Sequence, residues 1–300
     1  MIGRGVRIVG LLAVGALAVA ACGSSKSATT SPPKSSSAAT DAAAVALLPA
    51  SIRSAGAIRV ASDIAYAPVE FYKSDGTTVT GFDYDLGQAL GAKLGVKVTF
   101  TEVIFDSIIP ALKAQKYDIV MSAMSDNKAR EKTLDFVDYF TAGTSMVVKK
   151  GNPEGLKDLI DLCGKTATAE KGTTQVDVLT AEQAECTKAG KPKITVLALP
   201  KDTDSLLAVK SGKAVADIND SPVAAYNAAN AATDFQAIES SALGTEPYGI
   251  GMLKANHQLA LALQAALKAV IADGTYTAIL AKYGVQSGAL TTATLNGATS

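Results

Sequence analysis

Residues 81–101 read GFDYDLGQALGAKLGVKVTFT, and this stretch carries both of the periods from which the fold is built. In its first part Leu86, Ala89, Leu90 and Leu94 fall on one face of a helix, with Asp83 placed to cap the start and Gly95 to end it. In its second part Val96, Val98 and Phe100 alternate with Lys97, Thr99 and Thr101, the period of a half-buried strand. A helix running directly into a strand is most of one βαβ unit.

Outward from this stretch the same alternation continues. Ile58-Arg59-Val60 opens a strand before it; after it Asp106 begins a helix with Ile108, Ile109 and Leu112 inward, and residues 118–122 form the next strand. Lys149-Lys150-Gly151-Asn152-Pro153 is a breaker, beyond which strands are expected at 166–169, 195–199 and 215–219. Helices fall between them at 174–189, at a segment capped by Asp204 that carries Leu206, Leu207 and Val209, and at the alanine-rich 224–232. Leu259, Leu263, Ala266, Leu267 and Val270 mark a long helix that breaks at Asp273-Gly274, and a last helix buries Tyr276, Ile279, Leu280 and Tyr283. Strands alternating with amphipathic helices predict an α/β protein with largely parallel sheets.

The N-terminus is of a different kind. Arg4 and Arg7 precede an apolar run of about 14 residues, short for a bilayer span and suited to a secretory signal. The run ends at Ala20-Ala21-Cys22, which resembles the processing site of exported bacterial lipoproteins; residues 1–21 are then a signal peptide and Cys22 the lipidated first residue. Residues 23–46 are mostly Ser, Ala, Thr, Lys and Pro, so 22–49 is expected to be a disordered linker, with the folded part at 50–289 and a tail at 290–300. The chain is 48% hydrophobic and 19% charged, with 28 basic and 28 acidic residues and no basic cluster, which gives no support to a nucleic-acid groove. With Cys22 committed to lipid, Cys163 and Cys186 remain as a disulfide in an oxidising compartment, or as two buried thiols. A metal site would need more ligands than these, and the single histidine, His257, has no evident partner in the sequence.

Several segments in register resemble the extracytoplasmic solute-binding proteins of ABC importers, in the family 3 group that binds polar amino acids. They include 58–63 with Tyr66-Ala67-Pro68, 81–86, 109–112, Lys116-Tyr117-Asp118-Ile119-Val120-Met121-Ser122, Arg130, 135–140, Gly172-Thr173-Thr174-Gln175, Asp220-Ser221-Pro222-Val223-Ala224 and 273–276. The resemblance implies a two-lobed periplasmic-binding-protein fold of type II, each lobe a mixed, mainly parallel sheet flanked by helices, joined by two hinge crossings. Lobe one is then 50–141 plus 249–289 and lobe two 142–248. Val69, Ala123 and Val215 depart from residues common at their positions in the family.

A free amino acid is a zwitterion, so a cleft that takes it out of water must pair both of its charges. Arg130 follows the strand ending at Ser122 and offers a fork that matches a carboxylate; Asp220 ends a strand of the other half, and strand ends face the crevice in open α/β sheets. The resemblance gives them the same roles, Arg130 toward the carboxylate and Asp220 toward the ammonium. Ser122, Ala123, Ser125, Thr173, Thr174 and Gln175 would supply polar and backbone contacts, Tyr66 and Phe105 would stack on the ligand's carbon skeleton, and Asp63 would meet the far end of its side chain. Each has a structural alternative: Asp220 and Asp63 as caps, Tyr66 and Phe105 as core.

The expected function is that of a lipid-anchored, extracytoplasmic receptor without a cofactor. It is monomeric, captures a polar amino acid by hinge closure and delivers it to an ABC permease. Asp63 and Asp220 against one Arg130 suit a cationic or amide side chain. A dehydratase-like enzyme on the same fold and a ligand-sensing receptor are the rival readings, although the sequence shows no nucleophile–base pair.

Overall fold

The structure is a computed structural model that describes residues 39–239 and 244–299. The signal peptide, Cys22 and the linker up to residue 38 lie outside the described residues.

Two short helices lead in, α1 (Ala42–Leu47) and α2 (Ala50–Ala55). They are followed by β1 (Ala57–Ser62), β2 (Ala65–Tyr66), β3 (Glu70–Tyr72), β4 (Val79–Thr80), α3 (Phe82–Leu94), β5 (Lys97–Glu102), α4 (Phe105–Lys113) and β6 (Ile119–Val120). The long strand β7 (Leu134–Lys149) leads to β8 (Thr166–Glu170), α5 (Thr174–Lys188), β9 (Thr195–Leu199), α6 (Asp202–Ser211), β10 (Ala216–Asp220), α7 (Ser221–Asn230) and β11 (Phe235–Glu239). The chain closes with β12 (Thr245–Leu253), α8 (His257–Ala272), α9 (Thr275–Tyr283) and β13 (Ala289–Leu295).

β7 serves two sheets. Up to Gly143 it pairs with β12, and from Thr144 onward with β10 and β11. The first sheet runs β5-β1-β6-β12-β7 and the second β7-β10-β8-β9. Pairing is parallel at β1–β5, β1–β6, β10–β8 and β8–β9 and antiparallel wherever β7 or β12 takes part. The chain passes between the sheets along β7, while β11 lies with the second sheet and β12 with the first. Helices α3 and α8 bury Leu86, Leu90, Leu263 and Leu267 against the first sheet, and α5 buries Leu179 against the second.

Four expectations need correction. Helix α1 lies inside the segment read as a disordered linker: Asp41 caps it by accepting from the Ala44 N–H at 2.9 Å, and Ala44 and Leu48 are fully buried in the core that includes α8. Its alanine-rich sequence carries no strong helix signal of its own, and packing against the core fixes it. Residues 289–295, assigned largely to a tail, form β13 on β7. Asp83 does not cap α3; the cap position is Gly81, at φ 123, where a Cβ would stand 2.1 Å from the Val69 carbonyl oxygen. Asp83 is instead buried, accepting from the Tyr139 hydroxyl at 2.7 Å and the Ala123 N–H at 3.2 Å. Asp204 does not cap α6, which begins two residues earlier, and Leu207 on that helix is 61% exposed.

Cys163 and Cys186 are joined by a disulfide, Cα–Cα 5.5 Å, closing a separation of 23 residues. It fastens the 3₁₀ turn Leu159–Leu162 to the C-terminal half of α5.

Candidate functional site

The C-terminal ends of the parallel strands converge. Asp63 follows β1 and Ser122 follows β6 in the first sheet; Glu170 ends β8 and Asp220 ends β10 in the second. Between them lies a tight cavity whose free interior is about 10 Å³. Of the residues expected at the site, Asp63, Tyr66, Phe105, Ser122, Ala123, Ser125, Arg130, Thr173, Thr174 and Gln175 line it. Asp220 does not. It stands one layer back, behind Gln175 and Tyr66.

Arg130 opens a 3₁₀ turn after the Ser122–Ser125 segment. Its Nη1 donates to the Ser125 carbonyl at 2.8 Å and its Nη2 to the Gly172 carbonyl at 3.1 Å, while Cζ lies 5.7 Å from the Phe105 ring centroid. Three of its five donors are left for another partner. Burial lowers its proton affinity from the ordinary arginine value, against which Glu246, Asp177 and Asp220 act. Thr173 occupies the cap position of α5 but turns its hydroxyl to the Glu170 carbonyl at 2.6 Å. The first-turn N–H groups of α5 therefore have no side-chain cap, which leaves a positive helix end at the cavity wall beside Arg130.

Asp220 is held by three donors. Gln175 Nε2 reaches Oδ1 at 2.6 Å, and the hydroxyls of Tyr248 and Tyr66 reach Oδ2 at 2.6 and 3.0 Å. Burial pushes its carboxyl up to about 6 even so, because desolvation outweighs these bonds. Tyr66 shares its one hydroxyl hydrogen between Asp220 and the Asn219 side-chain oxygen, and the Asn219 amide in turn donates to Asp202 and Asp217.

The opposite end of the cavity is acidic. Asp63 Oδ2 accepts from the Phe105 N–H at 3.0 Å and Glu70 Oε1 from the Ser122 hydroxyl at 3.0 Å. Asp63 Oδ1, Glu70 Oε2 and Glu170 Oε1 are buried without a partner among the described residues. Burial, followed by nearby carboxyls, pushes Glu170 up to about 10 and Glu70 well above its ordinary value; burial also raises Asp63. Glu70 and Glu170 sit at a strand start and a strand end, and no local motif in the sequence marks either.

Contacts cross the cleft on both sides of the cavity. Tyr66 meets Asn219 and Asp220, Arg130 meets Gly172, Lys201 pairs with Glu102 at 2.6 Å, and Lys171 pairs with Asp106 at 2.8 Å. The cavity is shut.

Residues 58–286 match the bacterial extracellular solute-binding proteins, family 3. This chain belongs to that family. It is similar to the arginine-binding protein ArgT of Corynebacterium glutamicum, 28% identical over 252 residues that cover 84% of this chain and 82% of that protein. It is similar also to the histidine-binding periplasmic protein of Salmonella typhimurium, 30% identical over 233 residues, covering 75% and 86% of the two chains. Among solved structures, an ancestral arginine-binding protein bound to arginine superposes with a TM-score of 0.67 at 35% identity, covering 76% of this chain and 98% of that one. The family-3 chain has the α/β fold of type II periplasmic binding proteins, and no helix among its described residues is long and apolar enough to cross a membrane.

Within this family-3 protein His257 lies away from the cavity, at the start of α8. Its Nδ1 is 2.7 Å from Asp135 Oδ2, and Lys254 pairs with the same carboxylate at 3.0 Å. The partner is distant in sequence, which is why the sequence showed none.

Proposed function

We propose that this protein captures a cationic amino acid and passes it to an ABC permease, held outside the membrane by lipid on Cys22. One observation carries the reading: the same cavity has a guanidinium and an uncapped helix end at one side, and three buried carboxyls with unpaired oxygens at the other. The α-carboxylate lies against Arg130 and the start of α5, and the cationic side chain extends to Asp63, Glu70 and Glu170. The ammonium is met by Asp220 once Gln175 turns aside. Tyr66 and Phe105 cover the carbon chain between.

A neutral side chain would leave those carboxyls protonated and gain no charge pairing from them, and an acidic one would be repelled. The names of the relatives, arginine-binding and histidine-binding, support the same class. Closure follows because each half supplies part of the neutralising set, so ligand favours the shut form over the open one. Neither an amide ligand nor catalytic turnover is expected: ligand incubated with the protein is recovered unchanged.

Thermal-shift screening of the proteinogenic amino acids followed by titration calorimetry tests the proposal. Arginine, lysine or ornithine should give the largest stabilisation. Binding restricted to acidic or apolar amino acids would refute it. Loss of labelling by radioactive palmitate in Cys22→Ser tests the anchor.

A further inference from the structure

The acidic end of the cavity holds more carboxyls than the cations around it pair. Asp63 and Glu170 come from opposite sides of the cleft and face each other within hydrogen-bonding reach, each with one oxygen that no donor meets. Two carboxylates so placed do not both ionise, whereas one proton shared between them satisfies both orphan oxygens. The Phe105 N–H and Lys201 relieve Asp63 only in part, and the other groups packed around the pair are acids. Asp202 at the start of α6 and Asp217 in β10 bring further negative charge to Glu170, and Glu102 at the end of β5 brings it to Asp63. Glu70 in β3 also adds an acid to the same wall. Lys201, the cation that reaches Asp63, is already bonded to Glu102.

We propose that Glu170 is a specificity-determining residue: in the ligand-free cleft it shares a proton with Asp63, and the ligand's cationic side chain takes the place of that proton. This deepens the cationic amino-acid reading and rests on it. The balance is simple. With one proton the pair carries a single negative charge; with both carboxyls ionised around a guanidinium or ammonium the total is again a single negative charge, and one proton has left to solvent. The buried site keeps its charge while exchanging one cation for another, so entry of the ligand adds no net charge to a low-dielectric region. A neutral side chain leaves the proton where it is. The pair thus selects by charge, with Glu170 contributed by the half opposite Asp63, so that the exchange also holds the cleft shut.

Calorimetric titration of the wild-type protein with arginine above pH 7, in phosphate and in Tris, counts the protons released, because the two buffers differ in ionisation heat. The titration is best run near pH 8, above the values of about 6 and about 7 to which burial raises Asp220 and Asp202, so that these contribute little to the count. The expected result is about one proton per arginine and a Kd that tightens by up to about tenfold per pH unit. Glutamine, if it binds, should release none. Glu170→Gln should weaken arginine on the order of a hundredfold and abolish proton release. Arginine binding without proton release overturns the inference, and so does a folded Glu170→Gln protein that binds arginine as tightly as wild type. Should that variant not fold, the wild-type proton count decides alone. If arginine and lysine fail to bind while a neutral or acidic amino acid succeeds, the proposed function falls and this inference with it.

Discussion

Tyr248 on β12 donates its hydroxyl to Asp220 at the end of β10 across 2.6 Å, joining a strand of the first sheet to a strand end of the second. Both side chains are buried, and the same carboxylate takes the Tyr66 hydroxyl. The bond therefore ties the halves together behind the cavity and orients the one carboxyl able to meet a ligand ammonium from that side. Tyr248→Phe removes a hydrogen bond to a buried ionisable group, worth about 1.5–3 kcal/mol. A loss of ligand affinity of about tenfold or more is expected by calorimetry, in a protein whose circular dichroism is unchanged; an unaltered Kd would show that Tyr248 is only packing.

Arg130 uses two donors to hold its own loop to Gly172 and presents the rest to the cavity. Arg130→Lys keeps the charge and loses the fork, so both the bidentate contact and the tie to Gly172 go. Binding should fall below detection in the thermal-shift assay for Arg130→Ala and by roughly a hundredfold for Arg130→Lys. Near-native affinity in the lysine variant would mean that the helix end of α5, and not the guanidinium, receives the carboxylate.

Arg130 was legible because Ser122-Ala123-Met124-Ser125 leads into it, and Asp220 because a strand stops there. Glu70, Glu170 and Tyr248 were not. A single polar residue in a strand reads as solvent-facing unless the layer covering it is known, and here that layer is the opposite half of the molecule, brought near only by β7 and β12. The same limit hid the His257–Asp135 pair, whose members lie 122 residues apart. Asp83 failed for another reason: an acid at the start of a helix pattern is nearly always a cap, yet Gly81 makes the turn and leaves Asp83 free to be buried on Tyr139. Local signals gave the elements, and side chains whose roles depend on tertiary contact stayed out of reach.

The pH dependence of the ligand-free protein follows from its buried acids. Burial is the largest cause in each case, pushing Asp83, Asp126 and Asp202 up to about 7 and Asp220 up to about 6 from an ordinary 3.8. Between those limits the folded chain holds protons that the unfolded chain has released, so unfolding gives up protons and stability falls as pH rises through about 4 to 7. The opposite case, Asp273 held down to about 2 mainly by Lys93, acts only below that window. Melting of the ligand-free protein should therefore occur at higher temperature at pH 5 than at pH 8, and the reverse order in calorimetric scans would sink the assignment.

The disulfide stands at the far end of α5 from Thr174 and Gln175, so it bears on the second half's stability more than on the cavity. Closing a loop of this length contributes about 3 kcal/mol by restricting the unfolded chain. A double Cys163→Ala, Cys186→Ala variant should melt several degrees lower and bind its ligand with the wild-type Kd once folded. A large drop in affinity would show that the tether positions the start of α5.

The C-terminal strand gives the sharpest test of the corrected boundaries, because it covers a pair of acids. Thr294 donates its hydroxyl to Asp138 Oδ2 at 2.8 Å, the Gly297 N–H reaches the same oxygen at 3.0 Å, and the Ala298 N–H reaches Asp126 Oδ2 at 3.2 Å. Asn296 adds its side-chain oxygen to the Phe136 N–H at 2.8 Å. Asp126 directly follows Ser125, whose carbonyl orients Arg130, so this strap supports the cavity floor from behind. A chain ending at Gly288 would strip three donors from two largely buried carboxyls and bare one edge of β7, a loss of about 3 kcal/mol or more. Both the melting temperature and ligand affinity should drop, whereas Thr294→Val, which removes one donor and keeps the strand, should lower stability by about 1–2 kcal/mol and leave affinity close to wild type. If truncation changes neither quantity, residues 289–299 are the dispensable tail that their composition suggests.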